Sequence, residues 1–216
     1  MRLDPALIRE SLAHPLPLPS LGFGIDITHA RPAAVVVPLR LDPEPRVLLV
    51  LRGAQLKDHA GEVGFPGGKP EPSDASLEAT ALRELDEEIG VPEDRISILG
   101  SLMPMPVITG RYLIHPFVGI LDDSAAPRIA SSEIQRILEL PLLPILTGEQ
   151  RLTAVRGQWS DTVVFAPHFA VDGAILYGAS AYILYELLSR LATRLGCTLP
   201  PPELTETLPW GNRYDR

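Results

Sequence analysis

Runs of apolar residues, many of them β-branched, predict five strands. Residues 33–39 (AAVVVPL) and 47–52 (VLLVLR) form the first two, and the turn-rich DPEP between them suits a short connection. Further strands are predicted at 96–104, at 113–121 and around 162–170. The pairing of these strands stays open, because the pattern alone does not say which of them are neighbours.

End signals and helical periodicity predict two helices in the first half of the chain. A short helix over 4–13 has Asp4 as its N-cap and Pro5 at the first helical position. A longer helix over 76–89 stops at Gly90. Both helices carry the residue types that satisfy or end the backbone at a helix terminus.

Two more helices are predicted in the second half. The strongest apolar helix runs over about 178–195. The segment SSEIQRILEL is predicted to begin as a helix, with Ser132 as its cap. Helices and strands mixed in this order predict an α/β fold with helices layered on a sheet.

The composition adds limits on function. The chain has 216 residues, of which 45% are hydrophobic, and its net charge at pH 7 is −8. Such a chain can bury a core, but its acidic surface repels phosphate backbones, so nucleic acid is not expected as a partner. The single cysteine, Cys197, excludes an internal disulfide framework and a Cys-rich zinc site.

The sequence shows no signal peptide or membrane segment, which predicts a soluble, cytoplasmic protein. The first residues lack an apolar core, and the longest apolar stretch, 174–188, is too short to cross a bilayer. The expected organisation is an N-terminal helix and connector over 1–30, a main domain over 31–196 and a proline-rich tail over 197–216. A proline-rich tail can serve as an arm that two copies exchange, so the tail suggests a homodimer.

Three carboxylates project from one side of the helix over 76–89. Glu84, Glu87 and Glu88 lie within one turn of each other, opposite the apolar side, and Arg83 is the only cation among them. A solvated helix face has the same appearance. Like charges four residues apart, however, destabilise a helix by about 0.2–0.5 kcal/mol, and anions are disfavoured near its C-terminus. Converging carboxylates with few cations suit a hard divalent ion, Mg²⁺ or Mn²⁺.

The loop before this helix reads FPGG at 65–68. Its glycines permit positive φ angles and close backbone approach, so a carbonyl group there can join the carboxylates on a metal ion. An ordinary tight turn is the alternative interpretation. A phosphate-binding Walker loop is excluded, because Pro70 stands where that motif requires Ser or Thr.

The loop and helix together closely resemble the Nudix box. That pattern is Gly, five residues, Glu, seven residues, Arg-Glu, an apolar residue, any residue, Glu-Glu, any residue, Gly and an apolar residue. RELDEEIGV at 83–91 matches the second half at every specified position. The first half departs: after Gly68 and five residues comes Asp74 rather than Glu, and eight residues rather than seven separate it from Arg83.

This departure and the sequence upstream of it are similar to the coenzyme A diphosphatase group of the Nudix family. The group's signature is Leu-Leu-Thr, any residue, Arg-Ser, three residues, Arg, three residues, Gly, three residues and Phe-Pro-Gly-Gly. Residues 48–68 reproduce every spacing. Three identities differ, with Val50 for Thr, Gly53 for Ser and Lys57 for Arg.

The Nudix resemblance implies an α/β/α sandwich around a mixed β-sheet, with a loop–helix–loop metal site. It also implies hydrolysis of a nucleoside diphosphate linked to another group, a small-molecule substrate. The residues that would hold Mg²⁺ or Mn²⁺ are Glu84, Glu87, Glu88 and, through its carbonyl group, Gly67. Arg83 would orient Glu84 by ion pairing, and the catalytic base would be Glu84 or Glu133.

The resemblance to the coenzyme A group implies cleavage of coenzyme A to 4′-phosphopantetheine and 3′,5′-ADP. Arg52 and Lys57 are the candidates to bind the 3′-phosphate, and Gly68 is expected to contact the substrate. ADP-ribose, a dinucleotide or a nucleoside triphosphate is the alternative substrate, because all these enzymes share the box. A Nudix-like module that binds a nucleotide without turnover is an alternative of another class.

Overall fold

The computed structural model describes residues 2–13, 25–56, 58–159 and 162–209. Its helices are α1 (Pro5–Ala13), α2 (Leu77–Ile89), α3 (Leu143–Thr147) and α4 (Gly178–Arg194), with a 3₁₀ turn at Glu93–Arg95. Its strands are β1 (Arg31–Arg40), β2 (Arg46–Arg52), β3 (Val63–Gly64), β4 (Gly67–Gly68), β5 (Ile96–Ser101), β6 (Met105–Pro106), β7 (Tyr112–Leu121), β8 (Ile134–Pro141), β9 (Thr153–Trp159), β10 (Thr162–Val171), β11 (Ala174–Leu176) and β12 (Glu203–Thr205).

Strand β1 lies in the middle of a mixed sheet. It runs parallel to β7, with Val36 opposite Phe117, and antiparallel to β2, with Leu39 opposite Val47. β7 pairs onward with β5, and β2 with β3 and β8, in each case antiparallel. The hairpin of β9 and β10 connects to this sheet through β11. The predicted α/β fold with a mixed sheet is confirmed.

Successive residues of the central strands face opposite layers of helices. Val36 of β1 belongs to a buried cluster with Leu85 of α2. Its neighbour Val37 belongs to the larger cluster that contains Leu187 of α4 and Ile8 of α1. Because side chains alternate along a strand, one sheet can bury apolar residues on both of its faces. The result is the three-layer sandwich that the sequence predicted.

The predicted helices α1, α2 and α4 are confirmed, as are the N-cap at Asp4 and the end of α2 at Gly90. Asp4 accepts a hydrogen bond from the backbone N–H of Leu7 at 2.9 Å, and Ser76 accepts one from that of Ala79 at 3.1 Å. Helix α2 ends at Gly90, whose φ of 64° is a left-handed conformation that favours glycine. None of the helices in the described ranges is long and apolar enough to cross a membrane.

The helix predicted to begin at Ser132 is wrong, because Ile134–Pro141 forms strand β8. Ile134, Ile137 and Leu138 have the i, i+3, i+4 spacing of a helix, so the pattern fits either structure. In the fold β8 pairs antiparallel with β2, where Leu138 lies opposite Leu49. Pairing with β8 satisfies the backbone groups of the buried strand β2, a contact that local spacing does not reveal.

The segment after α4 returns to the sheet. Strand β12 pairs in parallel with β9, where Leu204 lies opposite Ala154. Arg151 and Glu203 add an ion pair of 2.9 Å next to this pairing. The described part of the predicted tail is therefore attached to the sheet edge, while the domain boundaries stay a prediction.

Candidate active site

Two glycines form β4 and bring the backbone close to both β1 and α2. A Cβ atom on Gly67 would lie 2.3 Å from the backbone oxygen of Ala34, and one on Gly68 would lie 2.1 Å from Oε1 of Glu84. A side chain at either position would collide with these atoms. The FPGG loop is therefore more than an ordinary turn, because it leaves room for a carboxylate of α2.

Arg83 joins this loop to the helix. Its guanidinium donates to both carboxylate oxygens of Asp74, at 3.0 and 3.1 Å, and to the carbonyl oxygen of Lys69 at 3.1 Å. Asp74 stands where the Nudix pattern has its first Glu. The shorter side chain and the additional residue of spacing thus still give a two-point contact between the loop and the helix.

The carboxylate of Asp74 is almost fully enclosed, with 6% of its side chain exposed. Besides Arg83, it accepts hydrogen bonds from the Thr80 hydroxyl at 2.9 Å and from the backbone N–H of Glu71 at 2.8 Å. The hydrogen bond from Arg83, followed by the one from Glu71, holds the pKa of Asp74 well below its usual range. Sequence reasoning did not anticipate Thr80; its signal is a hydroxyl on the buried side of α2.

Glu84 and Glu87 share the other end of the same guanidinium. Nη1 of Arg83 lies 3.2 Å from Glu84 and 3.0 Å from Glu87. Burial raises the pKa of Glu84, and the charge of Arg83 opposes that rise. A carboxylate with a raised pKa is a better proton acceptor near neutral pH. Glu87 is more exposed than Glu84, with 58% of its side chain accessible.

Glu88 differs from the position that the helical wheel gave it. The wheel placed it on the solvated side, but it is 5% exposed. One carboxylate oxygen accepts a hydrogen bond from the backbone N–H of Gly67 at 3.2 Å, and the other lies 3.3 Å from the guanidinium of Arg52. Burial raises the pKa of Glu88 to about 7, and the charge of Arg52 is the main opposing influence. Two partners from other segments make this burial possible.

Arg52 lies between the carboxylates rather than standing free for a ligand. Besides Glu88, it contacts Glu133 at 2.7 Å, and the backbone N–H of Gly53 donates to the carbonyl oxygen of Glu133 at 2.7 Å. Its Nε atom is buried and has no hydrogen-bond partner among the residues that the structure describes. The structure therefore brings Arg52 and Glu133 to the Glu88 side of the site. Lys57, the other predicted cation, lies outside the described residues.

The family model of the NUDIX domain matches residues 30–162, which contain β4, α2 and all the contacts above. The chain belongs to the Nudix family. Its predicted resemblance to this family is thereby confirmed.

Two bacterial relatives and one solved structure illustrate the similarity. The chain is 42% identical to an uncharacterized Nudix hydrolase NudL of Photorhabdus laumondii, over 74% of this chain and 85% of the relative. It is 36% identical to the protein of the same name from Escherichia coli O1:K1, over 67% of this chain and 66% of the relative. A Nudix hydrolase structure from Alicyclobacillus acidocaldarius is 18% identical, covering 80% of this chain and 98% of that one, with a TM-score of 0.45.

As a Nudix hydrolase, the protein is an enzyme that acts on pyrophosphate bonds, which confirms the predicted enzyme class. The interpretation as a binding module without turnover is set aside. Nudix hydrolases generally use divalent metal ions.

The donor set of the site suits a hard cation. Five carboxylates share the two guanidinium groups of Arg52 and Arg83, so negative charge is in excess; they are Asp74, Glu84, Glu87, Glu88 and Glu133. Across the described ranges, no three acidic or imidazole side chains converge closely enough to ligate an ion as they stand. Oxygen donors and uncompensated charge still fit Mg²⁺ or Mn²⁺.

Proposed function

We propose that this Nudix hydrolase cleaves the pyrophosphate bond of coenzyme A or its derivatives. The products are 3′,5′-ADP and 4′-phosphopantetheine, or its acyl form. The observation that carries the proposal is the contact chain from Arg52 to Glu88 to Gly67. It joins the arginine of the upstream signature to a glutamate of the box and to a glycine of the FPGG loop, which supports a single site made of the substrate signature and the helix α2.

The backbone of the signature loop supports the same assignment. The N–H of Arg52 donates to the carbonyl oxygen of Glu62 at 2.9 Å, and the N–H of Gly61 donates to the carbonyl oxygen of Arg52 at 3.1 Å. These bonds close the loop on itself beside Arg52. These bonds support a role for the signature loop in binding the substrate next to the proposed catalytic carboxylates.

Each side chain has a role in this proposal. Glu84, Glu87, Glu88 and the carbonyl group of Gly67 would hold the metal, and a bound Mg²⁺ or Mn²⁺ supplies neutralisation of the pyrophosphate charge. Glu84 takes the proton of the attacking water, because its pKa is raised and Arg83 fixes its carboxylate. Glu133, 52% exposed and tied to Arg52, is the alternative base.

Gly68 and the two signature cations act on the substrate side. Because Gly68 has no side chain, the carboxylate of Glu84 can lie against the loop, at the place where the proposal puts a phosphate of the substrate. Arg52 positions Glu88 and Glu133, and Lys57 keeps the substrate-binding role that the family resemblance implies. A divalent cation is required throughout, because unscreened carboxylates repel a pyrophosphate.

A substrate panel tests the proposal. Purified protein with Mg²⁺, and separately with Mn²⁺, is incubated with coenzyme A, ADP-ribose, NADH, a diadenosine polyphosphate and a nucleoside triphosphate. Chromatography then resolves the products. The expected result is the highest kcat/KM for coenzyme A, with release of 3′,5′-ADP. A higher kcat/KM for any other member of the panel would assign the site to that substrate and overturn the coenzyme A proposal.

A further inference from the structure

Two positive side chains converge on the ring of Tyr112, at the start of β7. The guanidinium carbon of Arg31 lies 4.9 Å from the ring centre, and Nζ of Lys69 lies 5.4 Å from it. Arg31 also donates a hydrogen bond to the Tyr112 hydroxyl at 2.9 Å. Both distances are in the range of cation–π attraction, so one aromatic ring brings two charges of the same sign together.

Arg31 and Lys69 differ from many other cations of the chain in their ion pairing. Within the described ranges, no carboxylate forms an ion pair with Arg31 or Lys69, whereas Arg46 and Arg151 each contact a glutamate at 2.9 Å. The protein as a whole carries a net charge of −8. The surface around Tyr112 is therefore locally positive, although the protein as a whole is negative. Such a place attracts an anion.

This cluster adjoins the candidate active site. Lys69 follows Gly68, the glycine whose missing side chain makes room for Glu84. The carbonyl oxygen of Lys69 accepts the hydrogen bond from Arg83 at 3.1 Å, so the residue is anchored to α2 while its ammonium group lies at Tyr112. Arg31 begins β1, the strand that pairs with Gly68 through Ala34. A substrate with its pyrophosphate beside Glu84 can extend toward the cluster.

We propose that Arg31, Lys69 and Tyr112 form the binding site for a substrate phosphomonoester that is not cleaved. This inference rests on the proposed function, under which that group is the 3′-phosphate of coenzyme A. A phosphomonoester carries about −1.5 to −2 charges at neutral pH, which two cations match. Arg52, the cation that the sequence suggested for this role, is instead held between Glu88 and Glu133.

The inference is tested by measuring the binding of two nucleotides that contain no pyrophosphate bond. The protein cannot cleave them as substrates, so the test does not depend on turnover. Calorimetry with Mg²⁺ present compares 3′,5′-ADP with 5′-AMP, which differ by the 3′-phosphate alone. The wild-type protein is expected to bind 3′,5′-ADP more tightly by about tenfold or more, the size of a charge-assisted contact. The preference should shrink as salt rises, because Arg31 and Lys69 are exposed.

Substitutions then assign that preference to the cluster. Arg31→Gln and Lys69→Gln should each remove most of the preference and leave the affinity for 5′-AMP near its wild-type value. Arg95→Gln is the matched control, since Arg95 is an exposed arginine of the 3₁₀ turn and contacts Ser124 rather than Tyr112. It should retain the full preference. Lys69→Gln changes one exposed side chain, so it keeps the test valid if Arg31→Gln does not fold.

Two results would overturn the inference: equal affinity of the wild-type protein for both nucleotides, or a preference that survives both substitutions. The outcome is separable from that of the substrate panel. If coenzyme A is not the best substrate but the 3′-phosphate preference depends on Arg31 and Lys69, the binding site stands and the proposed function fails. If coenzyme A is the best substrate and the preference is unaffected by the substitutions, the proposed function stands and this inference fails.

Discussion

Asp74 and Arg83 form a two-point contact, in which both carboxylate oxygens of the loop residue accept hydrogen bonds from the guanidinium of α2. The pair determines where the FPGG loop meets the helix, because Arg83 also bonds the loop at the carbonyl oxygen of Lys69. Loop and helix are thus linked by charge as well as by the backbone.

Asp74→Asn is expected to lower the free energy of unfolding at neutral pH. The pKa of Asp74 is lower in the folded protein than in the unfolded one. The stabilisation that its ionised carboxylate gives to the fold is therefore complete above the unfolded pKa of about 3.9. That stabilisation is lost as the pH falls toward the pKa of the folded protein. Urea unfolding at several pH values should show a gap between variant and wild type that narrows in acid. Asp86→Asn, a change of an exposed carboxylate on the same helix, should show almost no gap. A gap for Asp74→Asn that is independent of pH would contradict the charge argument.

Glu84→Gln is expected to reduce kcat by about 10²- to 10⁴-fold, the usual contribution of a general base. The amide keeps the shape of the side chain but accepts a proton poorly. Glu78→Gln is the control, because Glu78 is an exposed glutamate in the first turn of α2. Steady-state kinetics and thermal unfolding should show that both variants fold, and that only the first loses turnover. Unchanged turnover in Glu84→Gln would transfer the role of base to Glu133.

Gly68→Ala is expected to abolish most turnover, because the new Cβ atom would collide with the carboxylate of Glu84. Crowding of this kind costs about 1–3 kcal/mol of stability, so the protein should still fold. The matched change is Gly64→Ala in β3, where the nearest atom, the Ser180 hydroxyl oxygen, would be 3.6 Å from the new Cβ. The kcat values of the two variants are compared at equal concentrations of folded protein. Equal activities would show that Glu84 can move aside without consequence.

Arg190→Met is expected to destabilise the fold by about 3–5 kcal/mol, because it leaves the carboxylate of Glu186 buried without its cation. Arg190 contacts Glu186 at 2.5 Å and donates to the carbonyl oxygen of Leu12 at 3.0 Å, and both charged side chains are at most 3% exposed. The double variant Glu186→Leu/Arg190→Met removes both charges and should recover much of the loss. Urea unfolding of the three proteins provides the measurement. A double variant less stable than Arg190→Met would argue against an unpaired buried charge.

Local signals were enough to predict the helix of the site. Ser76 and Gly90 mark its ends in the sequence, and the structure uses both residues as caps. Strands β1 and β2 were also predicted from local signals, because each is a short run of apolar residues, several of them β-branched, next to turn-forming residues. Strand β8 was not predicted, because the spacing of Ile134, Ile137 and Leu138 suits a helix as well as a strand. The pairing with β2 is what makes this segment a strand.

The candidate site was predictable in its residue types and not in its contacts. Glu84, Glu87 and Glu88 were recognised by spacing, but a helical wheel treats Glu88 as solvated. Its burial depends on Arg52 and on the N–H of Gly67, both distant from it in sequence. The positive cluster at Tyr112 was missed for the same reason. Arg31 and Lys69 come from separate segments, and no local pattern connects them.

The matched range 30–162 and the folding unit are not the same stretch of chain. Helix α1 precedes that range and α4 follows it, yet Ile8 of the first and Leu187 of the second are fully buried in the main core cluster. A protein trimmed to the matched range would keep every carboxylate of the site and lose the layer that covers one side of its sheet. The segment by which the family is recognised therefore carries the candidate site, while two helices outside it bury one face of the sheet.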